Sequence, residues 1–124
     1  MQTVNDKTFP ELYSIPLYKQ ILLIIGKGRE QGIHLKELCK FTGTEERAAR
    51  KAIEAIRRKG VVICSTALDG YFFPETIDEL QQYLRQEERR GRSTFFTIKA
   101  ARRLFQELNE VEQNGTEKSF HLVS

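Results

Sequence analysis

The sequence contains no tryptophan, two cysteines, two histidines and three prolines in 124 residues. Its longest strongly apolar run, Ile21–Ile25, is far too short to span a bilayer. Met1–Lys7 has no apolar core, so no signal peptide is expected, and the protein reads as cytoplasmic. Cys39 and Cys64 make no disulfide framework. Together with His34 and His121 they are the only soft metal ligands, and none has a short-spaced partner of the zinc-site kind. Two histidines leave no Ser/His/acid arrangement worth naming. Gly26-Lys27-Gly28 lacks phosphate-loop spacing. The expectation is therefore a non-enzyme with no metal and no cofactor.

What is present is charge. Twenty Lys and Arg face seventeen Asp and Glu, a formal net charge of +3. That sum is too small to announce a nucleic-acid binder, so position matters. The segment Thr44–Gly60 holds six cations (Arg47, Arg50, Lys51, Arg57, Arg58, Lys59) and three acids (Glu45, Glu46, Glu54). The remaining chain carries fourteen of each sign.

Periodicity predicts the elements. Residues 1–14 have no period and read as a flexible arm. Ser14 before Pro16 marks a helix start, and Leu17, Ile21, Ile24, Ile25 and Gly28 fall on one face. That helix is expected from Pro16 to about Glu30, with Gly32 as its stop. A short extended Ile33-His34 leads into a helix over Leu35–Phe41. Thr42-Gly43-Thr44 is a tight turn, with Thr44 as cap for a helix over Glu45–Lys59. Its apolar stripe is Ala48, Ala49, Ala52, Ile53 and Ile56. Val61–Cys64 and Tyr71–Phe73 read as strands joined through Asp69-Gly70. The aromatic run of the second strand reads as core, with Phe72 against the helix that follows. Thr76 and Glu79 match a capping box. From there a helix is expected to about Val111, with a kink at Gly91 as an option, and 113–124 as a loose tail.

Helix, short strand, helix, glycine turn, helix and two-stranded hairpin is the order of a winged helix-turn-helix. The fold class is mostly α (α+β): three helices and a hairpin wing over 15–74, then a long C-terminal helix over 75–112. The stretch Ile21–Phe73 resembles the DNA-binding domain of biotin-repressor-type winged helices. The resemblance is carried by Leu35-Lys36-Glu37-Leu38, Thr44, the Ala48–Ile53–Ile56 stripe, Lys59-Gly60 and Asp69-Gly70-Tyr71. The longer pattern runs through Tyr71–Pro74 into Leu80, Tyr83-Leu84 and Phe95–Lys99. It resembles small winged-helix proteins of bacterial prophages. The resemblance implies a double-stranded DNA partner and a role in transcription or replication of a mobile element.

Residue roles follow from height on the second helix of the motif. Thr44, Glu46, Arg47, Arg50 and Lys51 lie at its start, where base edges are reached. Arg57 and Arg58 lie at its far end and suit phosphate, as do Lys36 and Lys40 on the preceding helix. The wing loop Ser65–Gly70 has no Lys or Arg, and Glu45-Glu46 repel phosphate. Those two departures support the alternative, a protein-interaction module without DNA binding. The C-terminal helix carries a seam that includes Leu84, Ile98, Phe105 and Leu108, with Glu87 and Thr94 in seam positions. Two readings stand for it: a homodimer interface, or a fold back onto the first helix.

Overall fold

The computed structural model describes residues 2–90 and 95–116. Expectations on Gly91, Thr94 and His121 lie outside the described residues, as does 117–124 of the expected tail, while 113–116 belong to the last helix. The elements are α1 (Pro10–Tyr13), α2 (Pro16–Ile24), a 3-10 turn (Arg29–Gln31), α3 (Leu35–Thr42) and α4 (Glu46–Arg58). Strands β1 (Cys64–Thr66) and β2 (Gly70–Phe72) follow, then α5 (Ile77–Arg90) and α6 (Phe95–Thr116). The architecture is mostly helical with a two-stranded antiparallel sheet, as a winged helix requires. No helix among the described residues is long and apolar enough to cross a membrane.

The wing divides two apolar cores. Val61 to Cys64 are all buried, and alternation sends them to opposite sides. Val61, Ile63 and Phe73 join Ile21, Leu38, Ile53 and Ile56 in the first core. Val62, Cys64 and Phe72 join Leu80, Tyr83, Ala101 and Leu104 in the second. Phe72 packs beside α5, as its place in the sequence implied. The hydrogen-bonded ladder starts later than expected, pairing Cys64 with Phe72 and Thr66 with Gly70.

Several boundaries moved, each for a physical reason. The amino-terminal segment is not a loose arm in this structure. Leu12 is buried in the first core, and the Gln2 side chain pairs with the Val62 backbone in both directions, at 2.7 and 3.1 Å. Ser14 does not cap α2, because its hydroxyl donates to the Glu11 carbonyl at 2.7 Å. Pro16 is the first residue of α2. That helix ends at Ile24, not near Glu30, because Gly26 and Gly28 exchange backbone hydrogen bonds with Phe73 at 2.8 Å each. Gly32 is not a left-handed stop, since its φ is −65°. It is needed because a Cβ there would stand 2.0 Å from the Asp69 carbonyl oxygen. Ile33 exchanges two hydrogen bonds with Tyr71 across the same junction.

The long C-terminal helix is two helices, α5 and α6, packed against each other. Their apolar faces cover one another and the outer side of the wing. The expected seam is largely consumed in this way: Leu84, Phe105 and Leu108 pack on the second core of the same chain. The return packs α6 against α5 and α4 rather than on the first helix as proposed. Glu87, read as a polar seam position, is buried.

Glu79 ties this layer to the first. It accepts from the Glu75 N–H at 2.8 Å, the Thr76 N–H at 3.4 Å and the Arg29 N–H at 2.9 Å. Its own N–H donates to Thr76 Oγ1 at 3.1 Å, which completes the capping box. The Arg29 guanidinium lies 3.4 Å away. Burial acts to raise the Glu79 pKa. The three backbone donors and Arg29 outweigh it and hold the carboxyl below the usual carboxylate range. A depressed folded-state pKa adds stability that is complete above the unfolded value near 4.5 and is lost as pH falls through the folded one. Glu79→Gln is expected to cost about 1–3 kcal/mol at neutral pH. It should also flatten the acid limb of stability, measured by urea unfolding from neutral pH down to about pH 3.

Candidate nucleic-acid interface

The helix-turn-helix geometry starts with Gly43. It closes α3 in the left-handed conformation at φ 69°, with its N–H on the Cys39 carbonyl at 2.8 Å. Thr44 does not cap α4. Its hydroxyl pairs with that of Thr42 at 2.8 Å, and Glu45 occupies the cap position. The turn is thus braced by two threonines, and the start of α4 carries Glu45 and Glu46 where the helix dipole favours acids.

Ala49, Ala52, Ile53 and Ile56 bury one side of α4 against the first core. Ala48, expected on that stripe, is exposed. At 100° per residue it falls between the buried Ala52 and the exposed Lys51, a position readable from the spacing. A methyl group there leaves room for close approach and suits contact with a thymine methyl.

The other side of α4 presents Arg47, Arg50, Lys51, Glu54 and Arg58, all exposed. Two of these cations are engaged within the helix. Arg50 lies 3.7 Å from Glu46, and Arg58 lies 4.0 Å from Glu54. Such exposed i,i+4 pairs are worth little and open readily toward a phosphate. Arg47 and Lys51 make no ion pair among the described residues, and they share one face four residues apart. Lys36 and Lys40 are exposed on α3, which packs against α4.

Arg57 leaves the expected set. Its Nε and Nη2 both donate to the Ile63 carbonyl, at 3.0 and 2.6 Å, and Nη2 reaches Ser65 Oγ at 3.3 Å. Its guanidinium stands 6.0 Å from the Tyr71 ring centroid and 5.6 Å from that of Tyr83. This side chain fastens the wing to the reading helix and is not presented to phosphate. Lys59 is also engaged, 3.0 Å from Glu11 on α1. The outward charge of α4 is therefore four cations against Glu45, Glu46 and Glu54, weaker than the sequence count.

The wing is short and rigid. Thr66 Oγ1 donates to Asp69 Oδ2 at 2.9 Å and accepts from the Asp69 N–H at 2.8 Å. Leu68 stands at the tip, 83% exposed, in a loop that contains no Lys or Arg. Phe41, at the end of α3, is exposed too. The sequence reading passed over both, and only their exposure reveals them. Cys64 is buried, and burial pushes its thiol up to about 12, with nearby Arg57 pulling weakly the other way.

A glycine-closed helical turn, an exposed cationic second helix and a pinned hairpin define a winged-helix DNA-binding domain. The family described as the B-block binding subunit of TFIIIC matches residues 16–99. That is more than half of the chain, and the chain belongs to this family. No curated protein and no solved structure matches it.

The two neighbouring arginines separate structure from binding. Arg57→Ala is expected to lower unfolding stability by about 1–3 kcal/mol, because the Ile63 carbonyl loses its donors. Arg58→Ala should stay within about 0.5 kcal/mol of wild type. Thermal and urea melts of both variants check this.

Proposed function

We propose that this protein binds double-stranded DNA sequence-specifically, with α4 in the major groove, as a cytoplasmic transcriptional regulator or replication accessory of a bacterial mobile element. The observation that carries the reading is the α4 face on which Arg47 and Lys51 stand exposed without an ion pair, backed by a fully buried opposite side. Arg47 matches the O6 and N7 acceptors of guanine, and Lys51 one turn on reaches base or backbone. The family description, a subunit that binds B-block DNA, supports a duplex partner. The resemblance to prophage winged helices supports the regulatory setting. The protein acts by binding, without catalysis or cofactor.

A second reading is a protein-interaction module. The cation-free wing with Leu68 at its tip, and the three acids beside the α4 cations, favour it.

Fluorescence anisotropy with duplex DNA across a salt series tests the first reading. The slope of log K against log salt should be about −0.9 per phosphate contacted. Arg47→Ala and Lys51→Ala are each expected to weaken binding by roughly ten-fold, about 1–3 kcal/mol per lost base contact. Lys7→Ala on the amino-terminal segment should change it little. Binding of a partner protein that survives Arg47→Glu and Lys51→Glu, with no duplex affinity in the wild type, would instead establish the second reading.

Pairing of two copies through Leu84, Phe105 and Leu108, which remain partly exposed beside the second core, would read two half-sites. Light scattering is expected to give a dimer mass on duplex DNA. A monomer mass there would mean a single half-site.

A further inference from the structure

The balance of charge outside α4 is an average over very unequal segments. Between Arg85 and Arg103 the sequence holds seven cations (Arg85, Arg89, Arg90, Arg92, Lys99, Arg102, Arg103) and two acids, Glu87 and Glu88. Glu87 is buried, and Glu88 is engaged by Arg102 at 3.1 Å. This excess is larger than that of the reading helix.

Within it, α6 has one organised face. Ala101 and Leu104 turn into the second core. Lys99, Arg102, Arg103 and Gln106, spaced i, i+3, i+4 and i+7, turn outward and line a shallow groove with Ile98. Among the described residues no acid lines that groove, although Glu88 reaches Arg102 from α5 at 3.1 Å and Glu107 shares a neighbouring hollow with Arg103. The next acids on the helix are Glu107, directed toward the amino-terminal segment, and Glu110, one turn beyond Gln106. The row spans about 10 Å at 1.5 Å per residue. Gln106 adds a neutral donor of the kind that meets phosphate oxygens. Because α6 packs on α4, the row is held in fixed relation to the reading helix.

We propose that Lys99, Arg102, Arg103 and Gln106 on α6 form a second contact surface for the DNA backbone. It is independent of sequence and adds electrostatic affinity to that of α4. The proposal rests on the reading of α4 as a DNA helix. Under it, α4 chooses the site, while α6 supplies salt-dependent attraction that any duplex satisfies.

The test is anisotropy on a mixed-sequence duplex of about 30 base pairs, across roughly 50–200 mM salt. It compares the wild type with Lys99→Gln/Arg103→Gln, Arg47→Gln/Lys51→Gln, and the charge-keeping Lys99→Arg/Arg103→Lys. The α6 double substitution is expected to flatten the salt slope by up to about 1.8, two phosphates at 0.9 each. It should also weaken low-salt binding at least about ten-fold with an unchanged circular dichroism spectrum, while the charge-keeping pair binds as wild type. A wild-type slope in Lys99→Gln/Arg103→Gln, with a flattened one in Arg47→Gln/Lys51→Gln, overturns the α6 surface and leaves the α4 reading standing. If the wild type binds no duplex at all, the α4 reading fails and this surface fails with it. Polyglutamate displacing the protein as well as duplex of equal charge would also overturn it, since general anion attraction would then suffice.

Discussion

The contact on which the rest depends is the pair of hydrogen bonds from the Arg57 guanidinium to the Ile63 carbonyl. One planar cation satisfies a buried backbone oxygen, touches Ser65 and lies against Tyr71 and Tyr83. It therefore joins α4, both strands of the wing and α5 at one point. A lysine would not serve, since a single ammonium lacks the flat fork that bonds and stacks at once. The cost is a cation removed from the outward face. That cost falls on a helix with little charge to spare.

Glu79 and Arg29 make the complementary tie on the other side of the wing. Arg29 also bonds Gln82 at 2.9 Å and lies 3.7 Å from Asp78, so the 3-10 turn is bound along the first turns of α5. Between these ties the wing has few degrees of freedom. Gly32 and Gly70 let the backbones at Asp69 and Ile33 approach more closely than any side chain would permit. A hairpin of three residues per strand is marginal alone. Here it is stiff because both of its faces are built into cores.

Much of this was legible in the sequence. The helix-turn-helix could be read because its signals are local: Gly43 for the left-handed close, and Ala49, Ala52, Ile53 and Ile56 at helical spacing. The Thr76–Glu79 box was legible for the same reason. What could not be read is set by partners far along the chain. The end of α2 is decided by Phe73, whose backbone bonds with Gly26 and Gly28. Gly26 and Gly28 beside Ile24 are local breakers, but nothing near them names Phe73 as the partner. The inward turn of Arg57 depends on where Val61–Cys64 passes, so by periodicity alone it looked equivalent to Arg58. The seam over Leu84, Phe105 and Leu108 was correctly apolar, but pattern alone does not say whether a neighbour comes from the same chain or another. The roles of the outward residues in binding rest on chemistry that neither pattern nor packing decides.

The wall between the two cores also constrains how this sequence can change length. Phe72 and Phe73 are adjacent yet belong to opposite cores, as do Val61 and Val62. Adding or removing one residue within a strand would exchange that strand's side chains across the wall. In the first segment it would send Val61 and Ile63 into the space shaped for Val62 and Cys64, and in the second Phe73 into that shaped for Phe72. The exposed wing tip at Ala67-Leu68 bears no such constraint. Length variation in this region is therefore confined to the tip, where it alters reach without disturbing either core.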